Sequence, residues 1–260
     1  MARKIVITSG KGGVGKTTVC ANLGTQLASG GAKVVMLDAD VGLNNLDVLM
    51  GLENKVTYDI YDVIQGKCRI QQALIHDVNY PSLSVLPSLR GGSYSKIGAA
   101  EIRSVVDRLG KYDFVLIDCP AGIESGFHRA VSSASEALVV VNPTVSSLRD
   151  ADKVITLLST YNLSSINLVV NRVRGDMVIR GECMSPVDIS RLLKTHIGGV
   201  IPESEYIAMS YGAKLLGSDE ERYAFSLLAD NVVNGRHRIY DYTAPYKGIL
   251  GKLKLLRRRY

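Results

Sequence analysis

The chain has 260 residues, 46% of them apolar and 22% charged, and its 31 basic and 25 acidic side chains leave a net charge of +6. This composition excludes a disordered chain, which lacks the apolar surface to bury. It also excludes a spanning helix, because no apolar run approaches about 18 residues. In chain order, a strand at 4–8 is followed by a helix at 16–29 and strands at 33–37 and 83–86. A helix at 99–109, a strand at 114–118, a helix at 126–133, a strand at 137–142 and a helix at 147–160 come next. The series closes with a strand at 167–171, a helix at 186–195, a strand at 199–201 and a helix at 220–233. Several strands are almost continuously apolar, as parallel strands covered on both faces are. The alternation predicts an α/β fold with a doubly wound, mostly parallel sheet. Residues 90–93 read as a surface loop. The organisation expected is a domain over 1–234, a linker over 235–245 and a separate terminal segment over 246–260. The N-terminus enters a glycine-rich loop too soon to hold the apolar core of a signal peptide, so a cytosolic chain is expected. Cys20, Cys68, Cys119 and Cys183 are far apart in sequence, and read as reduced, partly buried thiols.

Directly after the first strand stands Gly10-Lys11-Gly12-Gly13-Val14-Gly15-Lys16-Thr17-Thr18. It fits G-x-x-x-x-G-K-[ST] in the strand–loop–helix context that the motif requires. The glycines let backbone N–H groups wrap phosphates, and the helix N-terminus adds its positive dipole. Lys16 is expected on the β- and γ-phosphates of a nucleotide, and Thr17 on Mg2+. Lys11 is a second lysine in the same loop. With Lys16 occupying the phosphates, it reads either as a solvated cation or as a group reaching across a dimer interface to a partner's nucleotide.

The second strand runs into Asp38-Ala39-Asp40. Carboxylates spaced i, i+2 at a strand's C-terminal edge point the same way, beside the phosphate site. They repel phosphate unless a metal or an attacking water intervenes, so they read as serving one of these, or as N-caps of the next helix. Asp118 ends an apolar strand and reads as the Walker B acid on Mg2+. Gly122, shortly after it, permits a backbone N–H to approach a γ-phosphate. No acid, histidine or cysteine is placed as a covalent nucleophile, so the expected chemistry is direct hydrolysis by water. Two late strand ends, Asn171-Arg172 and Ile201-Pro202, face the same crevice. The absence of an N-K-x-D motif favours ATP over GTP.

All the basic excess lies in the last fifteen residues, which hold six basic side chains and no acid. Tyr246, Ile249, Leu250, Leu253 and Leu256 recur at helical spacing. Lys247, Lys254 and Arg258 lie opposite, Lys252 on the flank, and Arg257 on the apolar stripe where its stem can snorkel. A basic amphipathic helix of this kind suits an anionic membrane surface. The alternatives are a helix packed on the domain and a nucleic-acid arm; the leucine stripe makes nucleic acid the lesser expectation.

The run from Lys11 to Thr18 resembles the deviant Walker A motif of the MinD/ParA ATPases. Several segments are similar to the septum-site-determining branch of that family. They are Thr8-Ser9-Gly10, Asp40-Val41-Gly42-Leu43-Asn44-Asn45-Leu46-Asp47, Pro120-Ala121-Gly122-Ile123-Glu124 and Ser146-Ser147-Leu148-Arg149-Asp150. The resemblance implies that Lys11 contacts nucleotide in the opposing subunit of an ATP sandwich dimer. It further implies that Asp40 orients the attacking water, that Asp38 supports the metal shell, and that Asn171 bonds the adenine, a turn asparagine being the alternative. It implies ATP and Mg2+ as cofactors and an ATP-dependent homodimer reversibly bound to the inner membrane surface. The implied partners are the septum inhibitor MinC and a topological regulator. Partition and flagellar-placement ATPases remain the alternative branches.

Overall fold

Every residue of Val34–Asp38 (β2) and Phe114–Asp118 (β5) is buried, so both strands are covered on both faces. The computed structural model, which describes residues 2–40, 45–88, 97–204, 217–248 and 251, places them around β1 (Arg3–Thr8). The other strands are β3 (Ile75–His76), β4 (Leu83–Leu86), β6 (Glu136–Val141), β7 (Ser165–Val173) and β8 (Ile197–Pro202). The eight form one sheet in the order β3-β4-β2-β5-β1-β6-β7-β8. All neighbours are parallel except β3 and β4. The doubly wound, mostly parallel expectation holds, with one antiparallel edge strand that two residues of sequence could not announce.

The helices are α1 (Lys16–Ser29), α2 (Asn45–Leu49), α3 (Ile60–Ile64), α4 (Ile70–Ala73) and α5 (Ala99–Asp107). They continue with α6 (Ser125–Val131), α7 (Val145–Leu158), α8 (Gly175–Ile179), α9 (Pro186–Leu193) and α10 (Asp219–Asn234). α1 packs on β1, β2, β5 and α10, while α5 meets α6 and α7 meets α9. Val19, Cys20, Leu23 and Leu27 of α1 are fully or almost fully buried. Each such aliphatic chain contributes roughly 1.5–3 kcal/mol. α9 starts where sequence logic puts a start: Ser185 accepts from the Asp188 N–H and Pro186 follows.

The stretch expected to be a linker, 235–245, is instead bound to the domain. Asn231 of α10 donates to the carbonyl oxygens of Gly198 (2.9 Å) and Arg238 (2.6 Å), and accepts from the Arg238 N–H (3.0 Å). Tyr240 is buried. Tyr246, expected on the terminal helix, ends a 3-10 turn (Ala244–Tyr246) that packs on α8. Lys247 pairs with Asp241 at 2.6 Å. The remaining tail residues named above, Ile249, Leu250, Lys252, Leu253, Lys254, Leu256, Arg257 and Arg258, lie outside the described residues, as do 90–93 and 41–44. Among the described residues, no helix is long and apolar enough to cross a membrane.

Candidate functional site

The carboxyl ends of β1, β2 and β5 converge where a doubly wound sheet forms its crevice. β1 feeds the loop 9–15, in which Gly13 (φ 76°) and Gly15 (φ 98°) occupy the left-handed region. Gly15 is the N-cap of α1 and supplies no side-chain cap. The first-turn N–H groups of this 14-residue helix thus have no intrahelical or capping partner. That is the cradle a phosphate needs.

The loop is held from three sides. The Ser9 hydroxyl donates to the Lys11 carbonyl (2.8 Å). The Asn171 amide donates to the Val14 carbonyl (2.8 Å). At Gly10 the backbone of α7 comes so close that an added Cβ would lie 2.2 Å from the Asp150 carbonyl oxygen. No side chain of any kind fits there. The nearest Asp150 atoms are its backbone carbonyl, followed by its Cβ at 2.7 Å, and no signal in the sequence could have found this approach.

Asp38 and Asp118 are register partners on adjacent strands, with relative exposures of 1% and 2%. Burial, then mutual repulsion, pushes the Asp38 carboxyl well above the usual range. Burial also raises Asp118, while the Thr17 hydroxyl bond and the Lys16 ammonium pull it back. One oxygen of Asp118, Oδ1, is buried without a hydrogen-bond partner. Two stacked acids with an orphaned oxygen fit a cation. Among the described residues no three His, Cys, Asp or Glu side chains converge as a full ligand set. An ion held by these two acids would need further ligands from water and substrate, as Mg2+ commonly takes. Asp38 also accepts from the backbone N–H groups of Asp40 (2.9 Å) and Leu46 (3.2 Å). It thus accepts from the second residue of α2 while staying beside Asp118. Asp40 is half-buried; burial raises its carboxyl and Lys16 opposes the shift.

Lys16 is buried beside these acids. Lys11 points elsewhere: its Nζ donates to Ser146 Oγ (3.1 Å) at the start of α7, in solvent. The Gly122 N–H, expected to be open to a γ-phosphate, donates to the Ser9 carbonyl (3.3 Å), with Gly122 at φ 86°. It ties the loop after β5 to the phosphate loop. Arg172 is exposed and left-handed (φ 56°), and Pro202 pairs with Val173 next to it. Asn171 has one amide hydrogen committed to the phosphate loop, a duty different from the adenine contact expected of it. Cys119 is buried by the site, and burial pushes its thiol up to about 12; Cys20 is raised by burial too. Both thiols therefore stay protonated at neutral pH.

An uncapped helix start behind a glycine loop, with a lysine and paired strand-end acids beneath it, defines a P-loop nucleoside triphosphatase. A family model described as an AAA domain matches residues 2–169. The septum site-determining protein MinD of Synechocystis is 47% identical over 260 residues, covering 98% of each chain. The MinC:MinD complex of Aquifex aeolicus aligns at 42% identity and TM-score 0.83 over 90% of this chain and 97% of that one. MinD of Pyrococcus horikoshii complexed with Mg-ADP aligns at 32% identity and TM-score 0.78 over 90% and 97%. The chain belongs to the septum site-determining MinD family.

Proposed function

We propose that this chain is an ATP-hydrolysing spatial switch. It dimerises with ATP, binds the anionic inner membrane surface and recruits a MinC-type division inhibitor, and hydrolysis releases it. The loop Gly10, Lys11, Gly12, Gly13, Val14, Gly15, Lys16, Thr17 and Thr18 holds the phosphates, and Lys16 draws charge from the β- and γ-oxygens. Thr17, Asp38 and Asp118 would hold Mg2+, which neutralises charge on those oxygens when bound. Asp40 accepts a hydrogen bond from the attacking water and sets it in line with the γ-phosphorus. The bond from the γ-phosphorus to the bridging oxygen breaks, giving ADP and phosphate. Residues 1–234 carry this chemistry and 246–260 the membrane contact.

The observation that carries the reading is the division of labour between two lysines. Lys16 is buried with the acids, whereas Lys11 is exposed on the same loop, where it bonds the Ser146 hydroxyl at a surface a second copy could meet. The partner reading rests on the solved MinC:MinD complex of Aquifex aeolicus. The test combines light scattering with sedimentation on anionic and zwitterionic liposomes, in ATP and in ADP. The expected result is a doubling of the 28.2 kDa mass and pelleting with anionic vesicles, both only in ATP. A monomer in ATP, or equal pelleting in ADP, overturns it.

A further inference from the structure

β7 loses its regular register against β8 between Val170 and Val173. Arg172 takes a left-handed backbone there, and Asn171 beside it is only 7% exposed. The irregularity brings the Asn171 amide onto the Val14 carbonyl, 157 residues away in sequence. Val14 is itself buried, so without this donor its carbonyl would be a buried acceptor with no bond from Asn171, and such groups are rarely left unpaired. The peptide joining Val14 to Gly15 is planar and trans. Fixing its oxygen toward β7 therefore turns the Gly15 N–H the opposite way. Gly15 has room for no Cβ on that side, which would lie 2.5 Å from Asn171 Nδ2. Asparagine and glycine are thus fitted to each other.

We propose that Asn171 is a positioning residue of the phosphate loop: it locks the Val14–Gly15 peptide and so presets the loop's N–H groups for the phosphates. The proposal rests on the nucleotide reading above. It differs from a base-reading role in what it makes the residue do, because a clamp on the loop acts on the phosphates even when no base is present.

Inorganic tripolyphosphate with Mg2+ is the probe, since it has phosphates and no base. Calorimetry compares tripolyphosphate, ATP and adenosine on the full chain and on Asn171→Ala, with urea unfolding of both. The expected result is a roughly tenfold loss of tripolyphosphate affinity, paralleled by ATP, in a variant that still unfolds cooperatively at a somewhat lower urea midpoint, as the loss of one buried hydrogen bond requires. Unchanged tripolyphosphate affinity overturns the clamp, whether or not ATP affinity falls. Failure of the unsubstituted protein to bind tripolyphosphate instead overturns the nucleotide reading, and the clamp with it. If Asn171→Ala does not fold, the unsubstituted 15N-labelled protein decides. The Asn171 side-chain amide protons should exchange slowly with solvent, and exchange at the rate of a free amide overturns the proposal.

Discussion

Asp38 and Asp118 face each other across neighbouring strands, out of reach of water, and each makes the other harder to ionise. Such a pair is poised to hold a cation and is costly without one. Asp118→Asn keeps an acceptor for the Thr17 hydroxyl and removes one charge. In metal-free solution it should stabilise the fold by about 1–3 kcal/mol, while Mg2+-dependent nucleotide binding weakens. A urea midpoint lower than that of the unsubstituted protein would contradict this account. Arg172 is the opposite case, a side chain on a backbone that resists it. A β-branched residue tolerates φ 56° far less, so Arg172→Val should cost about 1–2 kcal/mol, and Arg172→Gly should be neutral or mildly stabilising. Equal midpoints for Val and Gly would show that the turn relaxes. The P-loop residues, Asp118 and the i, i+2 acids were legible in the sequence, because their chemistry sits in one short window each. The Asn171 bond was not, because it depends on a register shift between two strands that no local pattern encodes.

Among the elements, α1, β4 and β5 appear at the boundaries their patterns imply, since each carries a full period of buried side chains. The short helices α2, α3, α4 and α8 have five residues or fewer. That is under two turns, too little for a 3.6-residue period to show. α3 is started by a local cap, Asp59 accepting from the N–H groups of Tyr61 (2.8 Å) and Asp62 (3.1 Å). The segment after α10 is a different case. Its composition is that of a linker, yet Asn231 bonds it to β8, Asp230 pairs with Arg236 and Arg238, and Tyr240 is buried. Asn231→Ala leaves three buried or half-buried backbone groups without this partner and should cost about 2 kcal/mol or more. It should also open 235–245 to proteolysis. Resistance to trypsin at Arg236 and Arg238 equal to that of the unsubstituted protein would show that other contacts hold the segment.

At the scale of the whole molecule, the proposed switch needs two copies. Lys11→Ala should leave nucleotide binding by the monomer within about threefold and abolish the ATP-dependent dimer; a normal dimer in light scattering refutes a role across the interface. The tail argument is one of avidity. A single basic amphipathic segment binds lipid weakly, and two on one dimer gain roughly 10²–10⁴ through effective concentration. Residues 246–260 fused to an unrelated constitutive dimer should therefore pellet with anionic vesicles regardless of nucleotide, and dependence on ATP in that fusion would overturn the account. Such a device works by crowding copies on a surface, and crowding endangers any sheet with open margins. Here one margin is the two-residue β3, running against its neighbour. At the other, the Gly198 carbonyl of β8 is already taken by Asn231. The two-residue margin offers a stray strand no long ladder on which to add. In the proposed switch, a margin this short would let copies be gathered at high local density with less risk of seeding β-aggregates.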